Sequence, residues 1–279
     1  MTQTNVQLPY FDELLEQLRK GNPDAIQAFG RHVHWGYWEN PDAADGSVAD
    51  FAEAAERLCR RVCDSGSVGN GMRILDCGCG FGGTIASLNE RFSNVQLVGL
   101  NIDERQLERA RKEVQPRAGN QIDFVQGDAC ELPFEDASFD VVLAVECIFH
   151  FPSRERFFKE ARRVLKPGGK LAICDFVPTS FMMPLIKFMD LFVKSSVSQV
   201  YGHVNSHYTL QDYQDLAKNT GFVSRIEENI TSNTLPTYPV VCRLMRESGN
   251  IEAGNITMGA DWLGRLGLTH YMILSFDAK

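Results

Sequence analysis

Asp76, Gly78 and Gly80 stand in the run Arg73-Ile74-Leu75-Asp76-Cys77-Gly78-Cys79-Gly80-Phe81-Gly82-Gly83, where a short apolar stretch meets an acidic residue and a glycine-dense turn. Glycine has no Cβ and tolerates φ > 0, so such a chain bends sharply and lays its main chain against a bound nucleoside. The dinucleotide pattern G-x-G-x-x-G can be laid on Gly78, Gly80 and Gly83. A pyrophosphate-binding turn, however, has no use for the charge of Asp76 before the first glycine, and an acid there suits a cationic ligand. A second pair, His150 and Asp175, has the chemistry of a general base and of the carboxylate that orients it, because imidazole titrates near neutrality. His203 and His207 have no Cys or second carboxylate at ligand spacing, and Cys77-Gly78-Cys79 is too tight for a zinc finger, so no metal site is expected.

The elements that must carry these groups alternate. Residues 84–92 have helical apolar spacing at Ile85, Leu88 and Phe92, and Val95-Gln96-Leu97-Val98-Gly99-Leu100 reads as a buried second strand. Asn101 ends that strand, where ribose hydroxyls arrive and where an acidic residue usually accepts them. Residues 102–114 read as a charged surface helix with Leu107 and Ala110 inward and Gln106 near its start. A third strand over 122–129 ends in Asp128, placed to bond a purine amino group, and a fourth over 139–145 leads into Glu146-Cys147-Ile148-Phe149-His150-Phe151. The helix around 157–165 stops at Lys166-Pro167-Gly168-Gly169, and residues 170–176 supply a fifth strand that carries Asp175 near its end. Strands alternating with helices at this spacing predict an α/β fold, a Rossmann-like, mostly parallel sheet with helices on both faces. His150 and Asp175 then share the sheet edge that receives the ligand.

Ile74-Leu75-Asp76-Cys77-Gly78-Cys79-Gly80, Gly127-Asp128, Leu132-Pro133-Phe134 with Phe139-Asp140, and Leu165-Lys166-Pro167-Gly168-Gly169 occur in the order found in class I S-adenosylmethionine-dependent methyltransferases, and the chain resembles that family. His32-Val33-His34-Trp35-Gly36-Tyr37-Trp38, Gly99-Leu100-Asn101-Ile102 with Gln106, and Phe149-His150 followed by Ile173-Cys174-Asp175-Phe176 are similar to the small-molecule O-methyltransferases of natural products, typified by the rebeccamycin sugar O-methyltransferase. The resemblance implies S-adenosyl-L-methionine as cofactor. It sets Asp76, Gly78 and Gly80 along the methionine part, Asn101, Ile102 and Gln106 near the ribose, and Asp128 and Ala129 near the adenine. Glu146 shapes the site after the fourth strand, and Tyr37 folds over the cofactor against its sulfonium. Asn101 replaces the acidic residue of many relatives. Phe149 stands where the resembling sugar enzymes have the first of two histidines, which leaves His150 as the base of a His150–Asp175 pair acting on an acceptor hydroxyl. Phe149, Phe151, Glu146, Trp35, Tyr37 and Trp38 also suit an alternative, C- or N-methylation of a hydrophobic or terpenoid-like metabolite, in which aromatic faces or a carboxylate stabilise developing positive charge. A non-catalytic cofactor-binding protein is the more distant reading.

One methyltransferase domain over 1–279 is expected: an N-terminal lid and helices over 1–70, a cofactor-binding core over 71–176, a cap insertion over 177–208, and a completion of the sheet over 209–279. Residues 10–19 have helical apolar spacing, and residues 50–63 form an amphipathic helix with Phe51, Ala54, Ala55, Leu58 and Val62 inward. The insertion is dense in Met182, Met183, Leu185, Ile186 and Phe188, suited to roofing a flexible hydrophobic acceptor or to a homodimer contact, and too interrupted to span a membrane. Residues 233–249 read as a lid or surface helix and 270–276 as a last strand, antiparallel at the edge as the resemblance implies. A net charge of −8 disfavours a nucleic-acid substrate. Eight cysteines without framework spacing argue for reduced thiols in the cytoplasm. The expected partner is a small-molecule acceptor.

Overall fold

The computed structural model describes residues 8–117 and 119–279, with the side chains of residues 189–193 outside that description. Helices α1 (Pro9–Arg19), α2 (Pro23–Phe29) and α3 (Val48–Ser65) precede the sheet. The side chain of Ser47 caps α3 by accepting from the Asp50 N–H, and the helix buries Phe51, Ala54, Ala55, Leu58 and Val62 along one face.

The core then alternates as read from the sequence: β1 (Arg73–Cys77), α4 (Gly83–Arg91), β2 (Gln96–Asn101), α5 (Glu104–Glu113), β3 (Gln121–Gln126), β4 (Phe139–Val145), α6 (Arg154–Val164) and β5 (Leu165–Pro178). The rest comprises α7 (Met183–Tyr201), α8 (Leu210–Asn219), β6 (Phe222–Asn229), α9 (Thr231–Thr234), α10 (Thr237–Glu247), α11 (Ile251–Arg265) and β7 (Thr269–Ala278). The seven strands lie in the order β3-β2-β1-β4-β5-β7-β6. β1 pairs in parallel with β2 and with β4, while β7 runs antiparallel to β5 and to β6. Strand order reverses between β1 and β4, so the crevice beyond their carboxyl ends is where an open α/β sheet takes a ligand.

The two faces of the sheet are buried separately. Phe157 and Phe158 of α6, Tyr213 of α8 and Phe276 of β7 fill one side, and Leu58, Cys59, Ile85 and Leu88 of α3 and α4 fill the other. Three boundaries differ from the sequence reading. Lys166-Pro167-Gly168-Gly169 is a bulge inside a longer β5, since Leu165 already pairs with Phe139 before the register resumes at Lys170 with Val141. Residues 233–249 divide into α9 and α10, as Pro236 at the N-cap of α10 breaks the ladder. Helix α11 was not read from the sequence, because Gly254, Gly259 and Gly264 weaken its helical signal.

The cap insertion is α7. It lines a cavity above the sheet with Ile186, Val197 and Val200 and exposes Leu185 and Phe188, as the turn before it exposes Phe181. No helix among the described residues is long and apolar enough to cross a membrane.

Candidate functional site

Gly78, Gly80, Asn101, Ile102, Gln106, Asp128, Ala129 and Glu146 meet around one pocket at the carboxyl ends of β1, β2 and β4. The glycine loop is stitched to β2, with the N–H groups of Gly78 and Cys79 donating to Leu100 O at 2.8 and 3.1 Å. Gly78 has φ +78°, and a Cβ there would stand 2.8 Å from Cys147, so both the turn and its neighbour require glycine. Helix α1 covers this pocket with Tyr10 and Phe11, the latter packed edge-on against Phe81.

Asp76 lies one layer behind the lining. It is buried, with Oδ2 unpartnered and its carboxyl pushed up to about 8 by that burial. On the ribose side, Asn101 Nδ2 donates to Gln106 Oε1 at 2.9 Å, and Asn101 Oδ1 accepts from Asp103 N at 3.3 Å. Gln106 Nε2, buried and without a partner, is left to donate. A nucleoside whose ribose oxygen accepts from Gln106 would satisfy that orphaned donor, so the pocket fits the S-adenosylmethionine that the resemblance implies. Replacing Gln106 with leucine is expected to weaken S-adenosylmethionine binding about tenfold, because a buried hydrogen bond is lost and Asn101 loses its acceptor. Calorimetric titration checks this, and unchanged affinity would remove Gln106 from the site.

Tyr37 is not brought to either cavity. Its N–H donates to Ala54 O of α3 at 2.8 Å and its ring lies 4.8 Å under the Arg61 guanidinium, which turns it away from the cofactor pocket. Tyr10 and His34 line that pocket instead.

A second, larger cavity of about 900 Å³ opens beside the first, between α1, α7, α10, α11 and the sheet edge. Trp35, Phe149, Phe176, Tyr238 and Tyr271 make its inner end, and no Lys or Arg lines it among the described residues. Tyr10, His34, Glu146 and His150 line both cavities.

His150 and Asp175 are not bonded to each other. His150 Nδ1 lies 2.9 Å from His203 O, an acceptor only, so Nδ1 carries the proton and Nε2 the lone pair. The Tyr10 hydroxyl, 3.2 Å away, can donate to that Nε2. Burial lowers the His150 pKa to about 4, which keeps the ring neutral near pH 7. Asp175, fully buried, accepts from Arg154 Nη2 at 2.7 Å and from the Tyr213 hydroxyl on Oδ2, and from Phe176 N at 2.8 Å on Oδ1. The expected orientation of His150 by Asp175 is therefore corrected: a buried guanidinium claims the carboxylate. Arg154 Nη2 also donates to Asn205 O at 2.8 Å, and Asn205 N donates to Phe149 O at 2.9 Å, next to His150. Asp175 thus bears on His150 only through Arg154, Asn205 and the Phe149 backbone.

Arg154 and Tyr10 were missed in the sequence. Tyr10 offers no local signal. Arg154 does, since it opens α6, where the helix dipole disfavours a cation and some stronger partner must hold it. No group of three or more His, Cys, Asp or Glu suited to a metal occurs among the described residues.

Residues 75–173 match a methyltransferase domain family. Methyltransferase GfsG of Streptomyces halstedii is 32% identical over 234 residues, covering 83% of this chain and 78% of that protein. The 27-O-demethylrifamycin SV methyltransferase of Amycolatopsis mediterranei is 32% identical over 229 residues, covering 82% and 76%. Among solved structures, the mycolic acid cyclopropane synthase CmaA1 complexed with SAH superposes with a TM-score of 0.81 at 17% identity, covering 99% of this chain and 98% of that one.

Proposed function

This chain belongs to the class I S-adenosylmethionine-dependent methyltransferases, and from that premise we propose that it methylates a hydroxyl of an uncharged, largely apolar small molecule held in the larger cavity. The observation that carries this reading is the meeting of the two cavities at a neutral His150, which lines both and whose unprotonated Nε2 lies 3.2 Å from the Tyr10 hydroxyl. A cavity of about 900 Å³ with no Lys or Arg among its described lining residues has room for a bulky acceptor and no described basic side chain to neutralise a diphosphate, sulfate or carboxylate. The relative named for 27-O-demethylrifamycin SV supports an oxygen acceptor of that kind.

Bound S-adenosylmethionine supplies a methyl group on a sulfonium, open to in-line displacement. The chain's own residues align and deprotonate. His203 O fixes the tautomer of His150, and an acceptor hydroxyl taking the place of the Tyr10 hydroxyl on Nε2 would be held for attack and relieved of its proton. Asp175 is a positioning residue: through Arg154 and Asn205 it secures the turn that carries Phe149 and His150. A second reading, methylation of carbon in an apolar metabolite, is favoured by the rings of Trp35, Phe149, Phe176 and Tyr271 near Glu146.

The test is transfer of isotope-labelled methyl from S-adenosylmethionine to matched acceptors, among them 27-O-demethylrifamycin SV, hydroxylated macrolides and steroid alcohols, and the sulfate esters of the steroid alcohols. Label on oxygen of the uncharged compounds and none on the sulfates is expected. Label only on carbon or nitrogen would replace the hydroxyl assignment, and efficient labelling of sulfates would sink the uncharged one.

A further inference from the structure

Glu146 occupies the most constrained point of the seam between the cavities. It follows β4 directly, at the strand-order reversal, with φ +50° in the left-handed region that a residue with a Cβ rarely adopts. Backbone strain of this kind persists where the surroundings over-determine it, and here it aims a carboxyl at a seam that both cavities share. Its two hydrogen bonds fall on one oxygen: Oε2 accepts from Trp35 N at 3.0 Å and from the Tyr271 hydroxyl. No hydrogen bond to Oε1 is present among the described residues, and Glu146 lines both cavities.

We propose that Glu146 is the charge partner of the cofactor's sulfur, a carboxylate while a sulfonium occupies the pocket and a neutral carboxylic acid once a thioether has taken its place. The physical reason is the burial of Glu146, which is 9% exposed. An isolated carboxylate is costly there, and a nearby cation removes that cost. Burial, opposed in part by the Tyr271 and Trp35 donors, pushes the Glu146 carboxyl up to about 8, so the cofactor-free protein carries it protonated at pH 7. The groups facing it are Asp175 and Cys174 on β5, Tyr271 on β7, Tyr10 on α1, Tyr201 on α7 and Tyr238 on α10. Burial pushes the thiol and the four phenols up, so they stay neutral through this range, and Asp175 is neutralised by Arg154. Of these groups at the seam Glu146 is then the one left to follow the charge on sulfur; Asp76, whose carboxyl burial also pushes up to about 8, lies behind the pocket lining.

The proton balance closes over a turnover. Glu146 releases its proton to solvent when the cation enters. In the transfer the acceptor oxygen gains the methyl carbon as its O–H bond breaks, the S–C electron pair stays on sulfur, and the proton comes to rest on Glu146, with His150 as its first acceptor. That last step rests on the hydroxyl reading above. The charge coupling on binding does not, and it holds equally for attack by carbon.

Calorimetric titration of the full chain at pH 7, in buffers of different ionisation enthalpy, counts the protons. Binding of S-adenosylmethionine is expected to release on the order of one proton more than binding of S-adenosylhomocysteine, which carries the same amino-acid end, and Glu146→Gln should abolish the difference. The sign follows from linkage: a proton released on binding makes affinity for S-adenosylmethionine rise with pH, by up to about tenfold between pH 6 and 7, and level off above pH 8. Equal proton release for the two ligands in the unmodified protein overturns the proposal, as does a difference that survives in Glu146→Gln. If that variant does not fold, the comparison in the unmodified protein still decides. Because the readout is binding, failure of the acceptor assignment leaves it standing, and its failure leaves the acceptor assignment standing.

Discussion

Asp175→Asn is expected to lower stability by about 3–5 kcal/mol, the cost of leaving a buried charge without its counter-ion. The side chains of Arg154 and Asp175 are 1% and 0% exposed, so water cannot replace the lost carboxylate. The guanidinium keeps Asn205 O and the Tyr213 hydroxyl, but these are neutral acceptors, and its Nη1 already lacks a partner. A thermal melt checks the effect. A companion with Arg154→Met and Asp175→Leu together should recover much of the loss, because removing both charges also removes their desolvation penalty. An Asp175→Asn melt that coincides with the parent would show that the pair is not isolated from solvent. Turnover measured on Asp175→Asn alone would confuse this instability with catalysis, so the test of the base must come from His150.

His150→Ala is expected to reduce kcat by about 10²–10³-fold while the affinity for S-adenosylmethionine changes little. The ring's Nδ1 is fixed by His203 O, which leaves the lone pair on Nε2, and the residue lines both cavities. The pH dependence follows from the same burial. With its pKa lowered to about 4, His150 is in its basic form above that value and protonated only below it. Turnover should therefore show no loss from this group between pH 6 and 8, and its acid limb should lie near pH 4. Stopped-flow single turnover separates this chemical step from binding and release. Equal single-turnover rates for His150→Ala and the parent would show that alignment alone carries the reaction, which a charge-quenching displacement permits.

The order of strands and helices from β1 to β5 was legible because each element has its own hydrophobic period and its own stop signal. The cofactor pocket was legible for a related reason: Gly78, Gly80, Asn101, Gln106 and Asp128 all lie within a few residues of a strand's carboxyl end, and a parallel sheet gathers those ends at one edge. Tyr37 was misplaced because an aromatic segment does not state which of its rings faces inward, and this ring packs against the Arg61 guanidinium. Helix α11, which walls the larger cavity with Ile256, Thr257 and Leu263, was silent because its glycines dilute the periodic signal.

By itself the sequence determined an α/β sheet with a glycine turn at the end of its first strand, since local period, turn chemistry and the right-handed crossover leave few other arrangements. Which charges pair was decided only by the tertiary structure. Asp175 and His150 arrive at the same sheet edge, as their strands require, yet Arg154 enters from the first turn of α6 and takes the carboxylate, leaving His150 to a backbone carbonyl of the cap. The physical reason is that a buried guanidinium must find a counter-ion, and no spacing along the chain records which carboxylate lies within its reach.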